Sequence, residues 1–247
     1  MLRGRILLQN DLPRALEHLI EARDASPLLV RAYVRLAELC FLIDDPEVDT
    51  VHLSCARRLA AGDAGLLFHL GVLHLSAGRK ELALANWQDC LRLTDDFDER
   101  ILQTAMNSGQ VSPEELIEEV FPGSPRRLAR LAGTKQFRAD SPEHRLLVER
   151  AEASMPGAEI PKAEWFFLRG RLSAMRDDPE AAVESYKKAV ALDRHNAGWY
   201  YELARTLYQL GRFEEAQEFA TVCVNLEDSV PKYDKLLLEI VRHRYSR

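Results

Sequence analysis

His52 and Cys55 stand three residues apart in a run of helical apolar spacing. A helix would put that imidazole and thiol on one face, half of a metal-binding arrangement. No second pair with ligand spacing accompanies them, and no bound metal is expected. His69 and His74 are five apart, too far round a helix to share a face, and read as helix-packing residues. The acidic runs IDDPEVD (43–49) and TDDFDE (94–99) offer carboxylates. Neither has the glycine-containing loop or distal glutamate of a calcium-binding EF-hand. Acidic residues also favour helix starts, where the macrodipole welcomes them, so both runs read as solvated turns. Cys40, Cys55, Cys90 and Cys223 are widely spread, with no CxxC, and each sits in a helical apolar pattern. Buried free thiols are favoured over disulfides or metal ligands. A reducing compartment follows, and the cytoplasm is the expectation; the periplasm or another location is the alternative if an N-terminal segment is missing.

Further chemistry is not legible. The chain has no P-loop, no GxGxxG after a strand, no HExxH and no GxSxG, and no nucleophile stands beside a base. The expectation is a chain without catalytic role or cofactor. Its 247 residues are 47% hydrophobic, ample for a core. With 33 basic against 39 acidic residues the net charge is −6, which argues against a general nucleic-acid surface. No apolar run approaches the roughly 20 residues of a membrane span. The start, MLRGRILLQND, is too short in its apolar part for a signal peptide and leads directly into a helix pattern. A chain that begins inside a repeat raises the reading of a piece cut from something longer.

The elements that would position any binding residues repeat every 34 residues. Leu70-Gly71 lies one period from Leu36-Ala37; Trp87 aligns with Leu53 and Leu19, Cys90 with Ala56 and Ala22, and Leu93 with Leu59. In the second half Gly170 recurs as Ala204, Ala182 as Ala216, Ala189 as Cys223 and Leu192 as Leu226. Small residues fall on small ones and large on large. Each period holds two helical patterns of about a dozen residues joined by a polar turn: QNDLP, IDDPE, SAGRK, MRDDPE and QLGRF. Nothing alternates with period two, so no sheet is expected.

This pattern resembles the tetratricopeptide repeat family, whose signature is W-x2-L-G-x2-Y…A-x3-F…P over 34 residues. The best matches are Leu67-x2-Leu70-Gly71-x2-His74 with Ala83-x3-Trp87, and Tyr200-x2-Leu203-Ala204-x2-Leu207 with Ala216; Ala182-x3-Tyr186-x2-Ala189 fits as well. The resemblance implies an all-α fold, a right-handed superhelical solenoid of antiparallel helix pairs. Gly71 and Ala83 would mark a close helix contact, since two helices approach to about 8 Å only where a small residue intervenes. Some landmarks are missing: Asp49 stands where Ala83 would, Arg169 where Leu70 would, and the closing proline appears only as Pro27.

The domain reading follows. Residues 1–97 hold N-terminal repeats (1–29 partial, 30–63, 64–97), 98–162 are irregular or degenerate helical repeats, 163–230 hold two repeats (163–196, 197–230), and 231–247 form a capping helix. In the middle, SPEELIEEVFP opens on a Ser112/Glu115 capping box, PRRLARLAG starts a second short helix, and SPEHRLLVERAEASM a longer one near Ser141. Continuous irregular packing is favoured there over a flexible linker. The last helix carries Tyr233, Leu236, Leu237, Ile240 and Val241 on one face and Lys232, Lys235, Glu239 and Arg242 on the other. That suits the polar-faced cap a solenoid needs, so the domain is expected to end with it.

The resemblance also implies function. A groove built by the first helix of each pair would receive a peptide or helix from a partner protein. Groove positions in the second half are Phe167, Arg171, Met175, Tyr201, Arg205, Tyr208, Lys235 and Arg242; in the first half they are Val34, Glu38, Phe41, Phe68, Val72 and Leu75. The basic, aromatic second groove suits an acidic or C-terminal peptide, because guanidinium forks bind carboxylates and rings give contact area at little entropy. Against this stands the reading that Tyr201 and Tyr208 pack repeats while the arginines pair with Glu164, Glu202 or Glu239. The leading function is thus a non-catalytic interaction scaffold. The alternatives are the recognition segment of a larger enzyme or envelope-assembly complex, and an RNA-binding helical repeat, which the acidic balance opposes. A homodimer through a solenoid end is a further expectation.

Overall fold

The computed structural model describes residues 12–42, 46–121, 123–134, 137–139 and 141–245. Residues 1–11 and 43–45, and the side chains of Cys40, Phe41 and Asp49, lie outside the described residues. Every element among the described residues is helical, and the chain divides into two compact units, Met1–Pro122 and Gly123–Arg247.

The first unit contains α1 (Leu12–Ala25), α2 (Val30–Leu42), α3 (Pro46–Leu59), α4 (Ala64–Ser76), α5 (Lys80–Leu93), α6 (Asp98–Ser108) and α7 (Pro113–Glu119). Helix α2 pairs with α3 and α4 with α5, while α1 packs on α2. The 34-residue landmarks are what these pairs bury. Leu36, Ala37, Leu53, Ala56, Leu70, Ala83, Trp87 and Cys90 are all fully inaccessible. Gly71 of α4 is the close contact expected from its size: the Trp87 indole of α5 lies over its backbone and donates its N–H to the Phe68 carbonyl at 3.2 Å. Burial of that ring contributes roughly 2–3 kcal/mol, more than the about 1 kcal/mol that a mid-helix glycine costs.

The start of α7 follows half of the proposed capping box. Ser112 Oγ accepts from the Glu115 N–H at 3.1 Å, as an N-cap should. The Glu115 carboxylate turns to Lys80 of α5 at 2.6 Å.

The second unit contains α8 (Pro125–Ala132), α9 (Pro142–Ser154), α10 (Lys162–Met175), α11 (Pro179–Leu192), α12 (Ala197–Gln209), α13 (Phe213–Leu226) and α14 (Pro231–Tyr245). Helices α8 and α9 pack as a pair, as do α10 with α11 and α12 with α13, and α14 lies on α13 and α12. Side-chain oxygens cap α9, α11 and α12: Ser141 accepts from His144, Asp178 from Ala181 and Asn196 from Trp199. Gly170 repeats the arrangement of Gly71, with the buried Tyr186 ring of α11 over it, and Ala204 is fully buried one period on. Arg169 leaves the core to Leu168 and Leu172; it is exposed, with its guanidinium 5.5 Å from the Trp165 ring. Tyr233, Leu236 and Ile240 seal α14 onto the unit, with Leu237 and Val241 half-buried beside them.

Candidate interaction face

In the second unit the first helices of successive pairs, α10, α12 and α14, are joined by aromatic contacts. Phe167 of α10 stacks on Trp199 of α12 with centroids 5.2 Å apart and planes 14° from parallel, and its other side meets Tyr186 at 5.5 Å. Tyr201 of α12 meets Tyr233 of α14 at 5.4 Å. The Lys232 ammonium sits 5.2 Å from the Tyr201 ring and 5.0 Å from the Tyr233 ring, within cation–π range. Tyr208, near the end of α12, has its hydroxyl 2.9 Å from His243 Nδ1 and its ring 5.7 Å from Phe213. Phe167, Trp199, Tyr201, Tyr208 and Tyr233, with the His243 imidazole, form a ladder across the three helices, backed by Tyr186 of α11 and Phe213 of α13. They are apolar bodies with polar edges, a type of surface that binds well when partly exposed.

The charged groups on these helices behave differently from one another. Arg205 pairs with Glu202, one turn back on α12, at 2.7 Å. Glu164 is taken by Arg126 of α8 through two parallel bonds of 2.5 Å each. Arg171 is half-buried on α10 and has neither hydrogen bond nor ion pair among the described residues. Beneath them the Tyr186 phenol is pushed up by burial first and by the Glu202 charge second, so the floor stays neutral while the rim is charged.

Phe167, Arg171, Tyr201, Arg205 and Tyr208 therefore lie on helices that touch in succession. Lys235 and Arg242 are exposed on α14, and Lys232, Tyr233 and His243 of the same helix contact Tyr201 and Tyr208. Three of the most informative residues were missed by spacing alone. Trp199 and His243 show themselves only through ring contacts made across repeats, and Gly133 only through its proximity to Arg171.

The positions of the first unit arrange otherwise. Val34, Phe68 and Leu75 are buried, and Val72 is half-buried. Glu38 is bound on two sides, by Arg35 and by His69 Nε2 at 2.7 Å. Arg100 covers the Phe68 ring at 4.5 Å. His52 is buried near Tyr33, and no group of three or more His, Cys, Asp or Glu side chains converges on one point among the described residues. No described helix is long and apolar enough to cross a membrane.

Comparison with known proteins bears on the repeat. The family described as tetratricopeptide repeat matches residues 174–237, the stretch that runs from the end of α10 into α14. Among solved structures, the chain is similar to a chain of the APC/C hetero-tetramer Cut9-Hcn1, with 13% identity, 94% of this chain and 46% of that one covered, and a TM-score of 0.44. It is also similar to the C-terminal part of a TPR repeat-containing protein from Cytophaga hutchinsonii, with 14% identity, 95% and 98% covered, and a TM-score of 0.44. The chain thus spans less than half of the first of these. Residues 174–237 match the tetratricopeptide repeat family, and every described element of the chain is helical.

Proposed function

We propose that this chain is a non-catalytic protein-interaction module whose second unit receives an extended, acidic segment of a partner protein. Helical repeats offer extended binding surfaces as a class, and residues 174–237 belong to a repeat of that class. The observation that carries the finer reading is Arg171. It is a half-buried guanidinium with no carboxylate partner among the described residues, one helical turn from the Phe167–Trp199 stack. A planar fork of donors beside aromatic rings favours a carboxylate flanked by chain that lies on the rings. Arg205, held by Glu202, exchanges that partner for the ligand or stays as a rim charge.

The test is affinity capture with the wild type and the Arg171→Glu/Arg205→Glu variant side by side, followed by identification of what each retains. The expected result is loss of the retained protein with helicity and melting unchanged. Retention by the double variant would place the binding surface elsewhere on the molecule.

A further inference from the structure

A cavity of about 380 Å³ opens in the second unit, where the first half of α9 meets the end of α10. That is the small end of the roughly 300–1,000 Å³ of small-molecule sites. Val148 of α9, which is buried, and Met175 of α10, which is half-buried, give it an apolar wall. Around them stand two guanidinium and two carboxylate groups: Arg145 and Glu149 from α9, Arg176 and Asp177 from the turn that follows α10.

Asp177 is the unexpected member. It is left-handed, with φ 60°, whereas the left-handed residues after α4 and α12 are glycines, Gly78 with φ 71° and Gly211 with φ 74°. The turn itself would be better served by a third glycine, and a residue kept at a backbone cost suggests a task for its side chain. Its carboxylate has no ion pair or hydrogen bond among the described residues, and neither has that of Glu149. Arg176, beside Asp177, turns instead to Glu152 at 3.0 Å, an exposed pair of the kind that exchanges readily.

This mixture of charges is selective. A simple anion drawn to the arginines meets Glu149 and Asp177, and a simple cation drawn to the carboxylates meets Arg145 and Arg176. A molecule that carries both charges a few bonds apart satisfies both pairs, and the apolar wall takes its body. We infer that this cavity binds a free α-amino acid with an apolar side chain. Its ammonium lies on Asp177 and Glu149, its carboxylate on Arg145 and Arg176, and its side chain against Val148 and Met175. The site is separate from the peptide reading of the interaction face and does not depend on it.

The experiment uses the protein labelled with ¹³C at its methionine methyl groups, of which Met175 is one of four. L-leucine, L-methionine and L-phenylalanine are titrated in separately, then the N-acetyl and the amide derivative of whichever binds. At least one amino acid is expected to shift the Met175 methyl signal saturably and to leave that of Met106 in place. Either derivative, lacking one charge, is expected to bind at least fivefold more weakly. Asp177→Gly and Asp177→Asn should each weaken the parent amino acid about threefold to fivefold, the effect of one exposed ion pair, and Glu149→Gln should do the same. Asp177→Gly also relieves the backbone, so it is expected to melt no lower than wild type while binding less well, a split that a merely structural aspartate would not give. No saturable shift with any of the three amino acids overturns the inference. Equal binding of a derivative and its parent overturns the zwitterion assignment, and unchanged affinity in both Asp177 variants removes the residue on which it is built.

Discussion

The thiol of Cys90 donates a hydrogen bond to the carbonyl of Ala64 across 3.2 Å, and 133 residues later the thiol of Cys223 does the same to Ala197, also at 3.2 Å. In both, the second helix of a pair ties down the first turn of the helix before it. The donor is 26 residues after the acceptor each time, so the two units repeat a polar contact as well as a packing pattern. Burial pushes the Cys90 thiol up to about 11 and the Cys223 thiol up to about 12.

Those thiols should therefore be inert in the folded protein. At pH 8 a thiol titrating near 11 is ionised in about one molecule per thousand, and only the thiolate reacts. Brief iodoacetamide treatment with peptide mass mapping should modify the half-exposed Cys55 and spare Cys90 and Cys223 until denaturant is added. Rapid native-state labelling of Cys90 or Cys223 would show that these helix contacts open.

Gly71 and Gly170 predict a reversal of the usual helix-propensity rule. Alanine in place of a mid-helix glycine ordinarily stabilises by about 1 kcal/mol. Here the added methyl would stand 2.2 Å from Trp87 Nε1 at Gly71, and 2.7 Å from Tyr186 Cδ1 at Gly170. Neither ring is free to move, because each is buried. Both alanine variants should lose about 1–3 kcal/mol in denaturant unfolding, and Gly71→Leu more than either. Gly62→Ala, whose methyl meets nothing within 4 Å, should be close to neutral. A stabilised Gly71→Ala variant would contradict the packing described for α4 and α5.

The same glycines show why so much of the fold was readable. A 34-residue alternation of bulky and minimal side chains survives in sequence because the helix contact has no other solution. The α8–α9 pair was harder to recognise. Its first helix spans eight residues, shorter than the repeat pattern, and the chain between the two helices carries no spacing to align. The contacts that join the first helices of the second unit were less legible than the helices themselves. Spacing listed Lys235 and Arg242 among the groove positions of α14 and gave no sign of the ring contacts that Lys232, Tyr233 and His243 make with Tyr201 and Tyr208. Arg126, 38 residues before Glu164, could not be foreseen as its partner, because a long-range ion pair leaves no periodic trace.

Glu38 predicts an acid-sensitive contact in the first unit. Burial pushes its carboxyl up, but the hydrogen bonds from His69 and Arg35 outweigh that and hold it below the ordinary carboxylate range. A carboxyl depressed in the folded state stabilises fully above its unfolded value, and the benefit disappears as pH falls through the folded one. Glu38→Gln should thus lower stability by about 1 kcal/mol at pH 7, with the gap to wild type closing as the pH drops below about 4, near the unfolded carboxyl value. Urea melts of the two proteins at pH 7 and pH 3 measure this. An equal gap at both would mean that the Glu38 charge contributes nothing.

Asp177 marks a place where glycine would serve better. Three helix ends share one turn. Arg79 N–H bonds to the His74 carbonyl, Asp178 to Ser173 and Arg212 to Leu207, at 2.9, 3.0 and 3.0 Å. This is the six-to-one closure of a helix by a left-handed residue. That residue is Gly78 with φ 71° in the first, Gly211 with φ 74° in the third, and Asp177 with φ 60° in the second. Aspartate tolerates the left-handed region better than most residues, yet still at a cost that glycine avoids. Asp177→Gly should keep the turn bonds and raise stability by about 0.5–1 kcal/mol, the usual gain when a strained φ is relieved. The measurement is the midpoint of urea unfolding, with Gly211→Ala as the converse, expected to fall by a similar amount. If Asp177→Gly were instead destabilising, the aspartate side chain would have to contribute a contact beyond the turn, and the three helix ends would not be equivalent.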